Sequence, residues 1–247
     1  MAKIYDKTVN EIMGEYFNQL KQGDIFTTRD MINYFKNNYP KIKQGTITAH
    51  LLKFSTNFKT RIYYNARSDG KCDLLFKIDE NKYRLYDKSN DPTPFYKDRI
   101  EEEEQPDEIS DKKTSESDQE FAYEKDLQNY LVKNLHIIEP GLKLFEEDDI
   151  TGIEYPVGGR FIDILAVDKN NDFVIFELKV SKGYDRVIGQ LLRYIGWVEK
   201  NMATEEQKVR GIIVCKEITD DLLLACSRLN DINLFEYEIS FKLNKKK

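Results

Sequence analysis

The chain has 247 residues, of which 40% are hydrophobic, with 15 tyrosines, 14 phenylalanines and a formal net charge of −6. This length and apolar content suit two ordinary domains or one large one, and they exclude a wholly disordered chain. No apolar run approaches the roughly 18 residues of a membrane helix, the first residues lack a signal-peptide stretch, and three distant cysteines disfavour disulfides and zinc, so we expect a soluble intracellular protein.

Charge is unevenly distributed along the chain. The net charge is +5 over residues 1–87, −7 over residues 88–120 and −4 over residues 121–247. A basic first segment can bind a polyanion even when the whole chain is acidic. The acidic middle segment holds three prolines and few apolar residues, which predicts a flexible linker over residues 88–120. The alternative is that this segment mimics DNA and blocks the basic domain.

Helical spacing of apolar residues predicts three helices in residues 1–87. The first spans about Val9 to Leu20 and is closed by Gly23. The second has a threonine N-cap and ends at Tyr39–Pro40. The third starts near Gln44, and its apolar face carries Ile47, Leu51 and Phe54.

Strand-like runs after the third helix predict a β-hairpin. One run is Arg61–Asn65, and the other combines Leu74–Ile78 with Tyr83–Tyr86. The turn Arg67–Lys71 lies between them and has a basic residue at each end. Three helices and a hairpin resemble a winged helix-turn-helix, in which the third helix enters the major groove and the wing touches the DNA backbone.

We therefore predict that residues 1–87 form a winged helix-turn-helix DNA-binding domain. Side chains on the outer face of the third helix would read bases, namely Thr46, Thr48, His50 and Lys53. Basic side chains of the helix and the wing would contact phosphates, namely Lys41, Lys43, Lys59, Arg61, Arg67 and Lys71. Two alternatives stay open, because many winged helices mediate protein contacts and because surface side chains such as these are often only solvated.

Residues 121–247 begin with a predicted helix from about Tyr123 to Leu135, which places Glu124 at the edge of its apolar face. Two apolar runs, Phe161–Val167 and Phe173–Val180, predict buried strands. The polar segment Asp168–Asp172 predicts the turn that joins them.

Charged residues interrupt these two apolar strands. A turn centred near Asn170 and Asn171 predicts that the numbers of paired residues sum to about 341, so that Asp163 faces Glu177 or its neighbour. The two-residue period places Glu177 and Lys179 on one face. A salt bridge with Lys179 would explain one carboxylate, but two packed carboxylates repel each other, and a divalent cation would relieve that repulsion.

This arrangement is typical of metal-assisted phosphodiester cleavage. Asp163, Glu177 and a backbone carbonyl near Leu178 would hold Mg²⁺ or Mn²⁺ through oxygen ligands. The metal would polarise the phosphate and lower the pKa of a bound water, while Lys179 would position that water and stabilise charge in the transition state. Glu124 would complete the metal shell directly or through water.

The residues around this cluster resemble a known nuclease family. Asp163 followed by Glu177-Leu178-Lys179 fits the PD-(D/E)XK nuclease signature. Further segments surround the signature in order, namely Glu124–Leu131, Ile138–Leu142, Gly159–Asp163, Gly189–Trp197 and Val209–Val214. This ordered set resembles the nuclease domain of the NucS/EndoMS mismatch endonucleases.

The resemblance implies a restriction-endonuclease-like α/β core with a central mixed sheet, dependence on Mg²⁺ or Mn²⁺, and cleavage of double-stranded DNA. It also implies that Gln190 and Tyr194, four residues apart on one helix face, contact the metal-site water or the DNA backbone. The alternatives are a local hydrogen bond for Gln190 and core packing for Tyr194. Arg160 and Arg193 would bind phosphate or simply pair with acidic neighbours.

The chain also departs from that family. The mismatch endonucleases carry a different, β-rich N-terminal domain that dimerises and grips flipped bases. Archaeal members end in a sliding-clamp-binding motif, which the last residues here, Phe241–Lys247, do not resemble. The resemblance to the mismatch endonucleases therefore does not imply that this chain recognises mismatches.

Three functions are compatible with these residues, besides cleavage of RNA. Our main expectation is a restriction-type DNA endonuclease whose winged domain selects the site, with a requirement for a modified base left open. The second is a repair nuclease acting on mismatched or branched DNA, and the third is a DNA-binding regulator with an inactive nuclease fold. One site per chain and two strands per duplex favour a homodimer. We expect double-stranded DNA as the partner, no membrane, and a cytoplasmic protein that joins the nucleoid when bound to DNA.

Overall fold

The computed structural model describes residues 5–66, 68–96, 116–147, 150–183 and 185–239, with the backbone alone for residues 116–122. The predicted phosphate contact Arg67, most of the predicted linker and the segment Phe241–Lys247 lie outside the described residues. Within the described ranges, no helix is long and apolar enough to cross a membrane.

Three helices dominate the first domain. They are Val9–Phe17 (α1), Thr28–Asn38 (α2) and Gln44–Phe54 (α3). Both α1 and α2 begin with a capping box, in which a threonine and the acidic residue three positions later bond each other's backbone N–H groups. The three helices are confirmed, although α1 ends at Phe17 rather than at the predicted Leu20.

A three-stranded antiparallel sheet completes this domain. Its strands are Ile25–Thr27 (β1), Leu75–Lys77 (β2) and Lys82–Leu85 (β3), with β3 in the middle. The chain order of helix, strand, two helices and hairpin is the order expected of a winged helix, which stays a prediction for this domain. The turn between β2 and β3 carries Asp79 and Glu80, so the expectation of a basic wing tip at Arg67–Lys71 is wrong.

The run Arg61–Asn65 is not the predicted strand, because residues Lys59–Tyr64 form a 3-10 helix. The Arg61 side chain is fully buried there and donates hydrogen bonds to the carbonyls of Lys53 and Cys72, at 3.1 and 2.9 Å. It also donates to Asp73 at 2.8 Å. Arg61 therefore lacks the solvent exposure that its predicted contact with a DNA phosphate requires.

The first domain continues past the predicted boundary at residue 87. Arg84 and Asp91 form an ion pair at 2.5 Å. Tyr96 is buried, and its hydroxyl donates a hydrogen bond to Asp73. The next helix begins at Glu116. The predicted linker over residues 88–120 is therefore too long at both ends, and residues 97–115 lie outside the described part of the chain.

The second domain is a mixed α/β structure. Its helices are Glu116–Lys133 (α4), Arg186–Asn201 (α5) and Asp220–Cys226 (α6), with a 3-10 turn at Leu135–Ile137. Its strands are Lys143–Leu144 (β4), Glu146–Glu147 (β5), Ile150–Thr151 (β6), Ile153–Val157 (β7), Arg160–Val167 (β8), Phe173–Gly183 (β9), Val209–Ile218 (β10) and Ile232–Glu236 (β11).

Six of these strands form a central mixed sheet. The order is β11–β10–β9–β8–β4, with β7 also paired to β8, while β5 and β6 form a separate ribbon. The pairs β9–β10 and β10–β11 are parallel, whereas β8 is antiparallel to β9, β4 and β7. The predicted α/β core with a central mixed sheet is thus confirmed.

Strand β9 is covered on both faces because its side chains alternate between two apolar cores. Phe173 and Ile175 belong to the core that includes Leu191 of α5. Phe176 and Leu178 belong to the core that includes Leu131 of α4 and its neighbours. Glu177, which lies between Phe176 and Leu178, is therefore fully buried.

Helix α3 packs against the second domain and is not free to enter a DNA groove in this arrangement. Ala49, Leu52 and Tyr64 lie in the same apolar cluster as Tyr155 and Met202. The approach is close, because a Cβ atom on Gly45 would come within 2.7 Å of Cγ of Met202.

The outer face of α3 is consequently buried, contrary to prediction. Thr46, His50 and Lys53 are 4%, 0% and 1% exposed. The Thr46 hydroxyl donates to Glu147 at 2.5 Å, and Nδ1 of His50 bonds the Thr46 carbonyl at 2.8 Å. Polar residues on this face therefore meet partners within the protein.

The ion pair of Arg61 and Asp73 gives a test of the burial of Arg61 in the first domain. Replacing Asp73 by alanine removes the carboxylate partner of a buried guanidinium, and we expect the free energy of unfolding to fall by about 3 kcal/mol. Urea-induced unfolding measures this change. Glu15→Ala breaks an exposed ion pair with Lys7 and should leave the midpoint unchanged. Equal urea midpoints for Asp73→Ala and Glu15→Ala would contradict the assignment of Asp73 as the buried ionic partner of Arg61.

Candidate active site

The hairpin of β8 and β9 brings together three of the predicted catalytic residues, namely Asp163, Glu177 and Lys179. Ile164 pairs with Phe176 and Leu165 with Ile175, so the paired numbers sum to 340, one less than the prediction. The backbone N–H of Leu178 donates to Oδ2 of Asp163 at 2.6 Å. Asp163 therefore lies beside the Glu177–Leu178 segment, as the turn position predicted.

Glu177 is a fully buried carboxylate with one ionic partner. Nζ of Lys179 lies 2.7 Å from its Oε1, whereas Oε2 has no hydrogen-bond partner among the described residues. The Lys179 ammonium also donates to the Leu178 carbonyl at 2.7 Å and to Oε1 of Glu124 at 3.4 Å. Oε2 of Glu177 is thus a buried oxygen atom available to a ligand.

Burial and mutual repulsion perturb the proton equilibria of this cluster. Burial, followed by the charge of Glu177, raises the pKa of Asp163 well above its ordinary value. Burial also raises the pKa of Glu177, although the charge of Lys179 opposes that shift. For Lys179 burial acts to lower the pKa, but the Glu177 carboxylate outweighs it and the pKa is raised. Lys179 therefore stays protonated, while the two carboxyl groups resist simultaneous ionisation.

This donor set suits a hard divalent cation. Among the described residues no three His, Cys, Asp or Glu side chains cluster as a metal site. Asp163, Glu177 and the carbonyl of Leu178 nevertheless supply three oxygen donors, and Oε2 of Glu177 has no hydrogen-bond partner in the described part of the chain. A cation would favour the charged forms of both carboxyl groups, which burial disfavours. Glu124 reaches this cluster through Lys179.

Helix α5 places Gln190 and Tyr194 on one face, as predicted. Nε2 of Gln190 donates to the Tyr194 hydroxyl at 3.0 Å, and the tyrosine is 2% exposed. Burial, and to a lesser degree the charges of Glu177 and Asp163, raises the pKa of Tyr194. The local hydrogen bond and the core packing considered as alternatives are therefore both present, next to the carboxylates.

A basic cleft opens beside the carboxylates. Its volume is about 290 Å³. Five cationic side chains line it, namely Arg160, Lys179, Lys182, Arg186 and Arg193, together with Gln190. The two arginines predicted to bind phosphate thus share one cleft with the predicted catalytic lysine.

Two residues of the site were missed in the sequence. Gln128, which is 3% exposed, donates through Nε2 to Oε1 of Glu154 at 2.9 Å and to the Asp163 carbonyl at 2.8 Å. Gln128 lies one helical turn after Glu124, and that spacing was a usable signal. Glu154 adopts a left-handed backbone conformation with φ of +49°, which no sequence pattern marks.

The predicted DNA contacts of the first domain are scattered. Lys41, Lys43, Lys59 and Lys71 are exposed. Thr48 is half-buried, and its hydroxyl donates to the Gln44 carbonyl at 3.0 Å. The buried side chains of Thr46, His50, Lys53 and Arg61 correct the prediction that they face DNA.

A mixed α/β fold that places a half-buried aspartate, a buried glutamate and a lysine beside a basic cleft is the arrangement expected of a nuclease-type domain. Residues 123–238 match the family model described as "Endonuclease NucS C-terminal domain". The second domain is therefore a NucS/EndoMS-like nuclease domain. Residues 8–85 match a model described as a domain of unknown function, DUF7669.

Known relatives match only part of the chain. Endonuclease NucS of Methanocaldococcus jannaschii is 32% identical over 39% of this chain and 34% of that protein. Endonuclease NucS of Bifidobacterium adolescentis is 33% identical over 47% and 46%. A solved repair endonuclease from Pyrococcus abyssi is 25% identical over 53% of this chain and 50% of that one, and its TM-score of 0.38 adds nothing to the fold described above. The chain thus spans about a third of the first relative and less than half of the second.

The raised pKa of Asp163 predicts a stability gain when this carboxyl is removed. Without divalent cations, the parent loses stability as pH rises from about 4, the pKa of an unfolded aspartate, through the higher folded pKa. Asp163→Asn lacks this loss, and we expect it to be more stable at pH 8 by on the order of 1–3 kcal/mol.

Urea unfolding at pH 8 and at pH 4 measures the effect, which should vanish at pH 4. Asp126→Asn, at an exposed position of α4, is the control and should change neither midpoint. A variant no more stable than the parent at pH 8 would show that burial does not disfavour the Asp163 carboxylate.

Proposed function

We propose that the protein is a divalent-metal-dependent endonuclease that hydrolyses phosphodiester bonds of double-stranded DNA. The observation that carries the proposal is the pair of a half-buried Asp163 and a fully buried Glu177 beside a protonated Lys179 and a basic cleft. Asp163, Glu177 and the Leu178 carbonyl would hold Mg²⁺ or Mn²⁺. The chemistry that such an ion supplies is Lewis-acid polarisation of phosphate and acidification of water.

Other side chains of the site would stabilise negative charge on the phosphate and contact water or the DNA backbone. Lys179, whose pKa is raised, serves as a permanent cation that stabilises negative charge on the phosphate rather than as a general base. Glu124 and Glu177 hold its ammonium between them, at 3.4 and 2.7 Å. Gln190 lines the cleft and orients the Tyr194 hydroxyl, and this hydroxyl would contact water or the DNA backbone.

The basic cleft is the proposed path of the DNA backbone. Arg160 and Arg193 line it from β8 and α5, and the cleft adjoins Lys179. Phosphate contacts from arginine fix the register of a duplex without reading its sequence. One such site cuts one strand at a time, so a homodimer is the simple geometry for cleavage of both strands.

Selection by DNA structure fits this arrangement better than the restriction-type selection that the sequence favoured. Restriction-type recognition by α3 requires an exposed outer face, whereas Thr46, His50 and Lys53 are buried. The curated relatives are described as NucS endonucleases, which supports the repair reading. We therefore propose mismatched or branched DNA as the substrate, encountered at the nucleoid.

Cleavage assays test the proposal directly. Purified protein with Mg²⁺ or Mn²⁺ is expected to cut mismatched or branched oligonucleotides, and Glu177→Ala should lower kcat by at least about 100-fold because the site loses an oxygen ligand. Methylated and unmethylated genomic DNA are tested in parallel. Discrete bands from only one of the two genomic DNAs would show that the protein is a restriction-type endonuclease. Full activity of Glu177→Ala would contradict the proposed metal site.

Salt-dependent binding tests the DNA path. Arg193→Ala removes a cation from the cleft and should weaken DNA affinity several-fold while reducing the slope of log K against log salt by about 1. Arg228→Ala, at an exposed arginine outside the cleft, is the matched control and should alter neither quantity. Identical behaviour of the two variants would remove Arg193 from the DNA path.

A further inference from the structure

A chain of hydrogen bonds connects the first domain to the carboxylate centre. The Tyr64 hydroxyl, from the 3-10 helix of the first domain, donates to the Glu154 carbonyl at 2.5 Å. The Glu154 side chain accepts from Gln128, and the same Gln128 amide donates to the Asp163 carbonyl. Tyr64 and Gln128 are 0% and 3% exposed, so water does not compete for these bonds.

Gln128 fixes the distance between α4 and β8. Its amide nitrogen has two hydrogens, and both are donated, one to Glu154 and one to Asp163. Glu124 lies one turn earlier on α4, near the same side of that helix. A fixed Gln128 therefore holds Glu124, and with it Lys179, at a set position relative to Asp163.

Glu154 holds its side chain toward Gln128 from an unfavourable backbone conformation. A φ of +49° disfavours residues other than glycine and persists only where the surroundings impose it. The surroundings here come from the first domain. Tyr64 bonds the Glu154 carbonyl, and the Thr151 hydroxyl donates to the Tyr63 carbonyl at 2.7 Å. Two adjacent tyrosines thus hold both ends of the segment 151–154.

We propose that Gln128 is a positioning residue of the nuclease centre, and that Tyr64 of the first domain acts through Glu154 to keep Gln128 in place. Neither residue touches the reacting atoms. The first domain is then part of the catalytic framework and not only a module that selects DNA. This inference rests on the proposed nuclease function.

Three single variants test the inference. Gln128→Leu keeps the volume and removes both donors, and it should lower kcat about 10-fold or more with little change in KM, as second-layer partners of metal sites do. Tyr64→Phe removes one hydroxyl and should lower kcat about 3-fold. Tyr155→Phe is the matched control, because this tyrosine is equally buried and its hydroxyl has no partner among the described residues.

Mn²⁺ binding, followed by calorimetry on the full chain, gives a readout that does not depend on cleavage. Gln128→Leu and Tyr64→Phe should weaken the affinity for Mn²⁺, and Tyr155→Phe should not. The double variant should lose less than the product of the two single losses, because both act through one chain of bonds. Thermal unfolding shows whether each variant is folded. If Gln128→Leu does not fold, Tyr64→Phe still tests the inference.

The outcomes separate this inference from the function on which it rests. If Gln128→Leu and Tyr64→Phe match Tyr155→Phe in kcat and in Mn²⁺ affinity, the inference is overturned while the nuclease stands. If the parent cuts no DNA but the two variants bind Mn²⁺ more weakly, the function fails and the positioning role stands. A parent that neither cuts DNA nor binds Mn²⁺ overturns both.

Discussion

The close approach of two carboxylates, one of them fully buried, is the constraint on which the site depends. Asp163 and Glu177 lie on adjacent antiparallel strands whose central side chains are apolar and pack into two cores, one on each face of the sheet. Burial of Glu177 strengthens the repulsion between them, because little solvent screens its charge. Lys179 offsets part of it, and its ammonium in turn draws Glu124 of α4 toward the sheet. The protonation of the site and its attraction for a cation both follow from this one unfavourable pair.

The centre of the site could be predicted because its geometry is local. A turn at Asp168–Asp172 sets the register of the hairpin, and the two-residue period of a strand then sets which side chains face each other. Gln128 and Glu154 could not be placed in this way. Their meeting depends on how α4 and β7 pack across the sheet, and the backbone of Glu154 adopts a conformation that its residue type disfavours.

In the first domain, local sequence pattern predicts the helices, whereas tertiary contacts decide which of the predicted functional residues are buried. Its helices follow from apolar spacing and capping residues, which act over a few positions. The segment Arg61–Asn65 has a strand-like composition, but burial of Arg61 against Asp73 imposes a 3-10 helix. The polar face of α3 was interpreted as exposed because polar residues usually are. Here Glu147 of the second domain supplies a hydrogen-bond partner, so burial of Thr46 is tolerated.

The shared apolar cluster between α3 and the second domain has a consequence for how such a protein could arise. Ala49, Leu52 and Tyr64 pack with Tyr155 and Met202, so closely that a Cβ atom at position 45 would displace the Met202 side chain. Exchanging the first domain for another would expose this surface and leave Glu154 without its support. The two halves are therefore constrained to diverge together, and recombination between homologous genes is tolerated only where it transfers both sides of the contact.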